Sequence, residues 1–138
     1  MTGMQIATVT PIMHEPAQDL ELLDKAKKTG LYQSMLDVKA AVKDADVVYT
    51  DTWVDMELFL DPKFKEEKEK RVKLMMPYQI NSKLMEGSNA LIMHDMPIHR
   101  GYEISGEMVE ASNSVIYEQA ENRLHSEKAI LLKLLNKN

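Results

Sequence analysis

Short β-branched runs and longer stretches with apolar residues three and four apart take turns along this chain. The first run, MQIATVT at residues 4–10, stops at Pro11 and predicts a strand. AQDLELLDKAKKTG then spaces Leu20, Leu23 and Ala26 as one helical face, with lysines in the last turn and Gly30 as C-cap. LYQSML predicts a short strand, and Asp37 is placed to cap a helix over VKAAVKDA. DVVYT follows as an apolar run that ends at Asp51. In LDPKFKEEKEKRVKLMMPYQ, Asp61 before Pro62 is a helix-start signal. Pairs four apart, Glu66 with Lys70 and Glu67 with Arg71, mark a solvated face there. Asn81 is placed to cap a short helix over SKLMEG; NALIM predicts a strand, GEMVEAS a short helix and SVIYE a strand. The chain closes on a helix over QAENRLHSEKAILLKLL, with Leu124, Leu131 and Leu135 on one face.

Alternation of this kind requires crossover connections. It therefore predicts an α/β fold, a three-layer sandwich around a mostly parallel, Rossmann-like sheet, in one domain over residues 1–138. No internal repeat, low-complexity segment or Gly/Ser-rich linker interrupts it. An apolar share of 44% and a charged share of 28% argue against disorder. The net charge of −5 leaves no basic concentration to neutralise a run of phosphates, so nucleic acid is not an expected partner. Zero cysteines exclude disulfides and thiolate zinc sites. No apolar run approaches the roughly 20 residues that span a bilayer, and the N-terminus lacks a signal-peptide pattern. A cytoplasmic protein without membrane partners is the expectation.

In open parallel sheets, ligands bind beyond the carboxyl ends of the strands. Three predicted strands end there in polar groups: Asp51 after VVYT, His94 and Asp95 after ALIM, and Arg123 in the AENR that follows SVIYE. Each has a plain alternative. Asp51 can serve as a helix cap or loop acceptor, His94 as a satisfied histidine at the core boundary, and Arg123 as a partner of Glu121 or Glu127. Their convergence on one sheet edge is the stronger observation. His94 and His99 do not make a metal pair, because five residues with Pro97 between them match neither helical nor strand periodicity. No metal or organic cofactor is expected. His14, His125 and the eleven methionines are read as loop, surface and core residues.

The segments ADVVYTDTW, PYQIN, MHDMPIHRG and QAENRLHSEKAILLKLL, in this order and spacing, resemble the C-terminal half of ornithine-type carbamoyltransferases. The similarity runs from MQIATVTP to the end of the chain. The family's Asp-x-Trp, His-Cys-Leu-Pro and Ala-Glu-Asn-Arg motifs all have counterparts. The resemblance implies transfer of a carbamoyl group from carbamoyl phosphate to an amine, without a cofactor. It implies that His94 and Arg123 point at the carbamoyl oxygen and that Asp51 holds the acceptor's ammonium. Met56 belongs by resemblance to a loop folding over the acceptor, and the carbonyls of Asp95 and Met96 accept from the amine or the carbamoyl nitrogen.

Departures from the family pattern carry their own expectations. Its Ser-Met-Gly loop appears here as DMELF, with Asp55 for serine and Glu57 for glycine, and Asp95 replaces the cysteine of His-Cys-Leu-Pro. Added carboxylates at Asp55 and Asp95 favour a second ammonium over an α-carboxylate, hence a diamine such as putrescine or an unusual amino acid as acceptor. The Ser-x-Arg-Thr-Arg motif that grips carbamoyl phosphate in the family has no counterpart, nor does the second domain's first strand. Two expectations follow: negligible carbamoyl transfer by this chain alone, and a sheet that re-pairs, exchanges elements with another copy or keeps open edges. Complete family members are trimers through the N-terminal domain; for this chain, association as a homodimer through the leucine face of the closing helix is the expectation. Competing readings are a receiver domain, which leaves AENR unexplained and lacks the acidic cluster near the first strand, and a non-catalytic binding or oligomerisation module.

Overall fold

A computed structural model describes residues 3–12, 19–54 and 60–136. Asp55 and Met56, together with Glu57 and His14, lie outside the described residues. Strand β1 (Ile6–Thr8) leads to α1 (Leu20–Lys28), β2 (Tyr32–Ser34), α2 (Val38–Lys43) and β3 (Val47–Thr50). A 3-10 turn, Pro62–Phe64, enters α3 (Lys65–Met75) and a second, Met76–Tyr78, leaves it; β4 (Leu91–His94), α4 (Gly106–Val109) and α5 (Ile116–Leu135) complete the order. The caps expected at Asp37 and Asp61 form, and Asp19 supplies a third. Asp19 Oδ1 accepts from Leu22 N–H at 2.9 Å, Asp37 Oδ1 from Ala40 N–H at 3.0 Å, and Asp61 Oδ1 from Lys63 N–H at 2.9 Å. Thr29 caps α1 at its C-terminal end, and Gly30 follows at φ 71°, a conformation that favours glycine.

Both strand pairs are parallel: Ile6–Thr8 opposite Tyr32–Ser34, and Val47–Thr50 opposite Leu91–His94. Among the described residues no strand joins the two pairs, so each remains a two-stranded sheet. No strand among the described residues fills the expected gap. Parallel sheets are normally covered on both faces, yet Ile6, Val47 and Tyr49 are exposed.

The core gathers on the C-terminal side of the chain. Ile92, Ile104 and Ile116 are fully buried, with Val42, Ile80, Met85, Ala90, Met108 and Val109 around them. Ile92 is the hub: its strand pairs with β3 on one edge and meets Ser114 in a single bridge on the other.

Two expected elements differ. SVIYE is not a strand; pairing stops after the Ser114 bridge and α5 begins at Ile116. Its β-branched residues pack a helix's first turn against the core instead of extending the sheet. SKLMEG forms hydrogen-bonded turns rather than a helix, although Asn81 Oδ1 does accept from Leu84 N–H at 3.0 Å. Gly87, at φ 77°, ends the segment before a full second turn can build.

Helix α5 has 20 residues and reaches about 30 Å at 1.5 Å per residue. From Glu121 onward it is exposed, Leu124, Leu131 and Leu135 included. No helix among the described residues is long and apolar enough to cross a membrane.

Candidate functional site

The carboxyl ends of β3 and β4 lie side by side because Thr50 pairs with His94. Asp51 follows the first strand and Asp95 the second, so the register alone makes them neighbours. One ligand-capable atom from each of Asp51, His94 and Asp95 lies within 4.8 Å of the others. Asp51 and Asp95 are exposed, whereas His94 is fully buried. Asp51 Oδ1 accepts from the Thr52 N–H at 2.6 Å and from the Thr52 hydroxyl at 3.3 Å. The carboxylate is therefore oriented before any ligand arrives.

Behind this rim the backbone turns sharply. Met96 has φ 63°, an uncommon conformation for a residue with a Cβ, and precedes a cis peptide to Pro97. The turn brings the Met96 N–H back to His94 Nδ1 at 2.9 Å. Nδ1 therefore serves as an acceptor, which leaves Nε2 as the ring nitrogen free to face another group. His94 Nδ1 is also 3.4 Å from Asp95 Oδ1, while Nε2 is 3.4 Å from Glu103 Oε1.

Glu103 is the residue that sequence reasoning missed. It is fully buried, and its Oε1 accepts from the His99 N–H at 2.6 Å. The contact to His94 is not a formed hydrogen bond: His94 Nε2 and Glu103 Oε2 have no hydrogen-bond partner. The PYQIN segment holds Glu103 in place. Ile80 N–H donates to Glu103 O at 3.0 Å, Ser105 N–H to Ile80 O at 2.9 Å, and Gln79 Nε2 to the carbonyls of Gly101 and Tyr102 at 2.9 Å each. A glutamate between Tyr102 and Ile104, in a segment otherwise fit for burial, was the available signal.

Arg123 is placed differently from the other expected site residues. It lies on α5, about two-thirds exposed, and its Nε donates to Glu127 at 3.3 Å. The structure thus joins Asp51, His94, Asp95 and, through its backbone, Met96, while Arg123 is held along its own helix. The cluster sits on an open rim. A concavity of about 590 Å³ bounded by Lys68, Glu69, Val72, Lys73, Met76, Pro77 and Tyr102 shares none of these residues.

A second polar cluster ties the loop after β4 to α5. Arg100 Nη2 donates to Glu110 Oε1 at 2.5 Å and contacts the Tyr117 hydroxyl at 2.9 Å, and that hydroxyl donates to the same Glu110 oxygen at 2.9 Å. The Arg100 hydrogen bond, then that of Tyr117, holds the Glu110 carboxyl below the usual carboxylate range. The same Glu110 bond raises Arg100 above its ordinary value.

Residues 1–134 match the family model described as the Asp/Orn binding domain of aspartate/ornithine carbamoyltransferase. An ornithine carbamoyltransferase of Archaeoglobus fulgidus is 43% identical over 140 residues, covering 99% of this chain and 43% of its own length. The anabolic ornithine carbamoyltransferase of Campylobacter jejuni superposes with a TM-score of 0.76 at 35% identity, over 99% of this chain and 45% of that one. An N-acetyl-L-ornithine transcarbamylase, solved as a mutant in complex with carbamyl phosphate and N-succinyl-L-norvaline, gives a TM-score of 0.72 at 28% identity over 96% of this chain and 41% of its own. The chain spans less than half the length of these relatives. The match over residues 1–134, together with 43% identity to the Archaeoglobus fulgidus protein over 99% of this chain, places the chain in the aspartate/ornithine carbamoyltransferase family, over the region of its Asp/Orn-binding domain.

Proposed function

We propose that this chain is the acceptor-binding half of a carbamoyltransferase that moves the carbamoyl group of carbamoyl phosphate to the side-chain amine of ornithine or a closely related amine. The observation that carries the reading is the meeting of Asp51 and Asp95 at the ends of paired strands, with His94 behind them. In the reaction the deprotonated amine attacks the carbamoyl carbon and forms the new C–N bond. Negative charge develops on the carbonyl oxygen, the C–O bond to phosphate breaks, and phosphate leaves with the electron pair and takes up the proton that the new C–N nitrogen sheds. Asp51 and Asp95 hold the acceptor's ammonium, away from the reacting amine, by charge-assisted hydrogen bonds, and the turn carbonyls of Asp95 and Met96 accept from the N–H groups of the reacting amine. Positioning of this kind supplies the orientation that a bimolecular attack otherwise lacks. His94 and Arg123 are the proposed donors to the developing oxyanion. One is buried and the other paired with Glu127 here, so both must turn toward the carbamoyl group once the carbamoyl-phosphate side of the cleft closes.

Asp95, beside Asp51, favours a second reading of the acceptor. Two carboxylates at one rim attract a second ammonium better than an α-carboxylate, which suits a diamine such as putrescine. The Asp55 part of that argument lies outside the described residues. Titration of the chain with ornithine, putrescine and carbamoyl phosphate by calorimetry tests both readings. Binding of an acceptor amine without carbamoyl phosphate supports the half-site, and binding of none refutes it. A clear preference for ornithine over putrescine refutes the diamine reading.

A further inference from the structure

Strand β4 forms backbone bonds on both edges. On the edge away from β3, Ile92 N–H donates to Asn113 O and Ile92 O accepts from Val115 N–H, each at 2.9 Å. In a parallel ladder the next donor on that edge is two residues on, the N–H of His94. No strand remains to receive it, because the neighbouring segment has become helix from Ile116. The side-chain amide of Gln119 stands in for the missing strand: its Oε1 accepts from His94 N–H at 3.1 Å. Its Nε2 reaches the Tyr49 hydroxyl on β3 at 3.3 Å. One amide therefore links the last residue of β4 with α5 and β3, one peptide before Asp95.

We propose that Gln119 is a positioning residue for the acceptor site, fixing the His94 peptide and, through it, the Asp95 carboxylate at a distance from Asp51 that one ammonium can span. The inference rests on the acceptor-binding reading above. The geometry demands an oxygen at this position facing His94 and tolerates either polarity toward the tyrosine, whose hydroxyl can accept or donate. Gln119→Glu therefore preserves the clamp, with Tyr49 turning to donate. Gln119→Leu fills similar volume and leaves the His94 N–H without an acceptor.

The test uses the full chain and both variants. Hydrogen exchange at the His94 amide is expected to quicken about tenfold in Gln119→Leu, the fold-change of one hydrogen bond, and to stay near wild type in Gln119→Glu. The ¹³C signal of the Asp95 carboxyl should move in the leucine variant and return in the glutamate variant, and ornithine affinity should follow it. Unchanged His94 exchange in Gln119→Leu overturns the proposal. So does uniformly faster exchange with an unmoved Asp95 signal, which marks a purely structural role, or a glutamate variant as impaired as the leucine one. Absence of ornithine binding in the wild-type chain refutes the acceptor reading instead, and the two ligand-free measurements still decide whether Gln119 places Asp95.

Discussion

Removal of the Glu103 side chain measures how far the mount behind the site depends on one buried carboxyl. In Glu103→Ala, two buried groups lose what faces them: the His99 N–H, bonded at 2.6 Å, and His94 Nε2, at 3.4 Å. A buried donor left unsatisfied costs about 1–3 kcal/mol. The His94 contact is long and is not a formed bond, so its loss adds nothing to that cost. The expected loss is about 1–3 kcal/mol, a sizeable part of the stability of a domain this size. Glu103→Gln retains an oxygen for the His99 N–H and is expected to lose less than about 1.5 kcal/mol, one net hydrogen bond. Urea unfolding of the full chain reads both differences, provided the slope m stays constant. If the alanine variant fails to fold, the glutamine variant against wild type still bounds the effect. Equal losses in the two variants, or an alanine loss below about 1 kcal/mol, would refute the claim that these hydrogen-bonding contacts account for burying Glu103.

Other expectations follow from the same structure. Asp51→Asn keeps the side chain's shape but not its charge, so amine binding measured by calorimetry should fall at least about tenfold, as for a charge-assisted hydrogen bond made neutral; unchanged affinity would remove Asp51 from the site. Ile92→Ala, at the fully buried hub of the core, should cost about 2–5 kcal/mol in urea unfolding; a loss under about 1 kcal/mol would mean that the cavity collapses. Glu110 is held below its ordinary range first by Arg100 and then by Tyr117. A depressed carboxylate stabilises the fold above its unfolded pKa and loses that contribution as pH falls through the folded value. Glu110→Gln should therefore flatten the acid limb of the stability profile below the normal carboxylate range and leave its shape near neutral pH unaltered; an unchanged acid limb would count against the pairing.

The periodic pattern and the caps were written in the residues themselves. Asp37 and Asp61 cap where the sequence places them, because a cap bonds to groups only two or three residues away. Asp51 and Asp95 were legible as strand-end carboxylates for the same local reason, and the parallel register of β3 and β4 then made them neighbours. Local signals failed at SVIYE, where β propensity gave way to packing. Ile116 is buried in the first turn of a helix, and a side chain, Gln119, completes the edge that a strand would have covered.

Burial and pairing across long separations belonged to the tertiary structure alone. Nothing near Glu103 in sequence announces that it will face His94 nine residues away, behind a turn at Met96 and under the PYQIN segment. Arg123 was legible as a motif residue, yet its side chain rests along α5 on Glu127, a partner every helix offers at that spacing. Sequence determines which chemistry is present and which faces are apolar, since both depend on residue type and short-range period. Which groups meet depends on strand register, chain reversal and the volume of the core, and those are properties of the assembled fold.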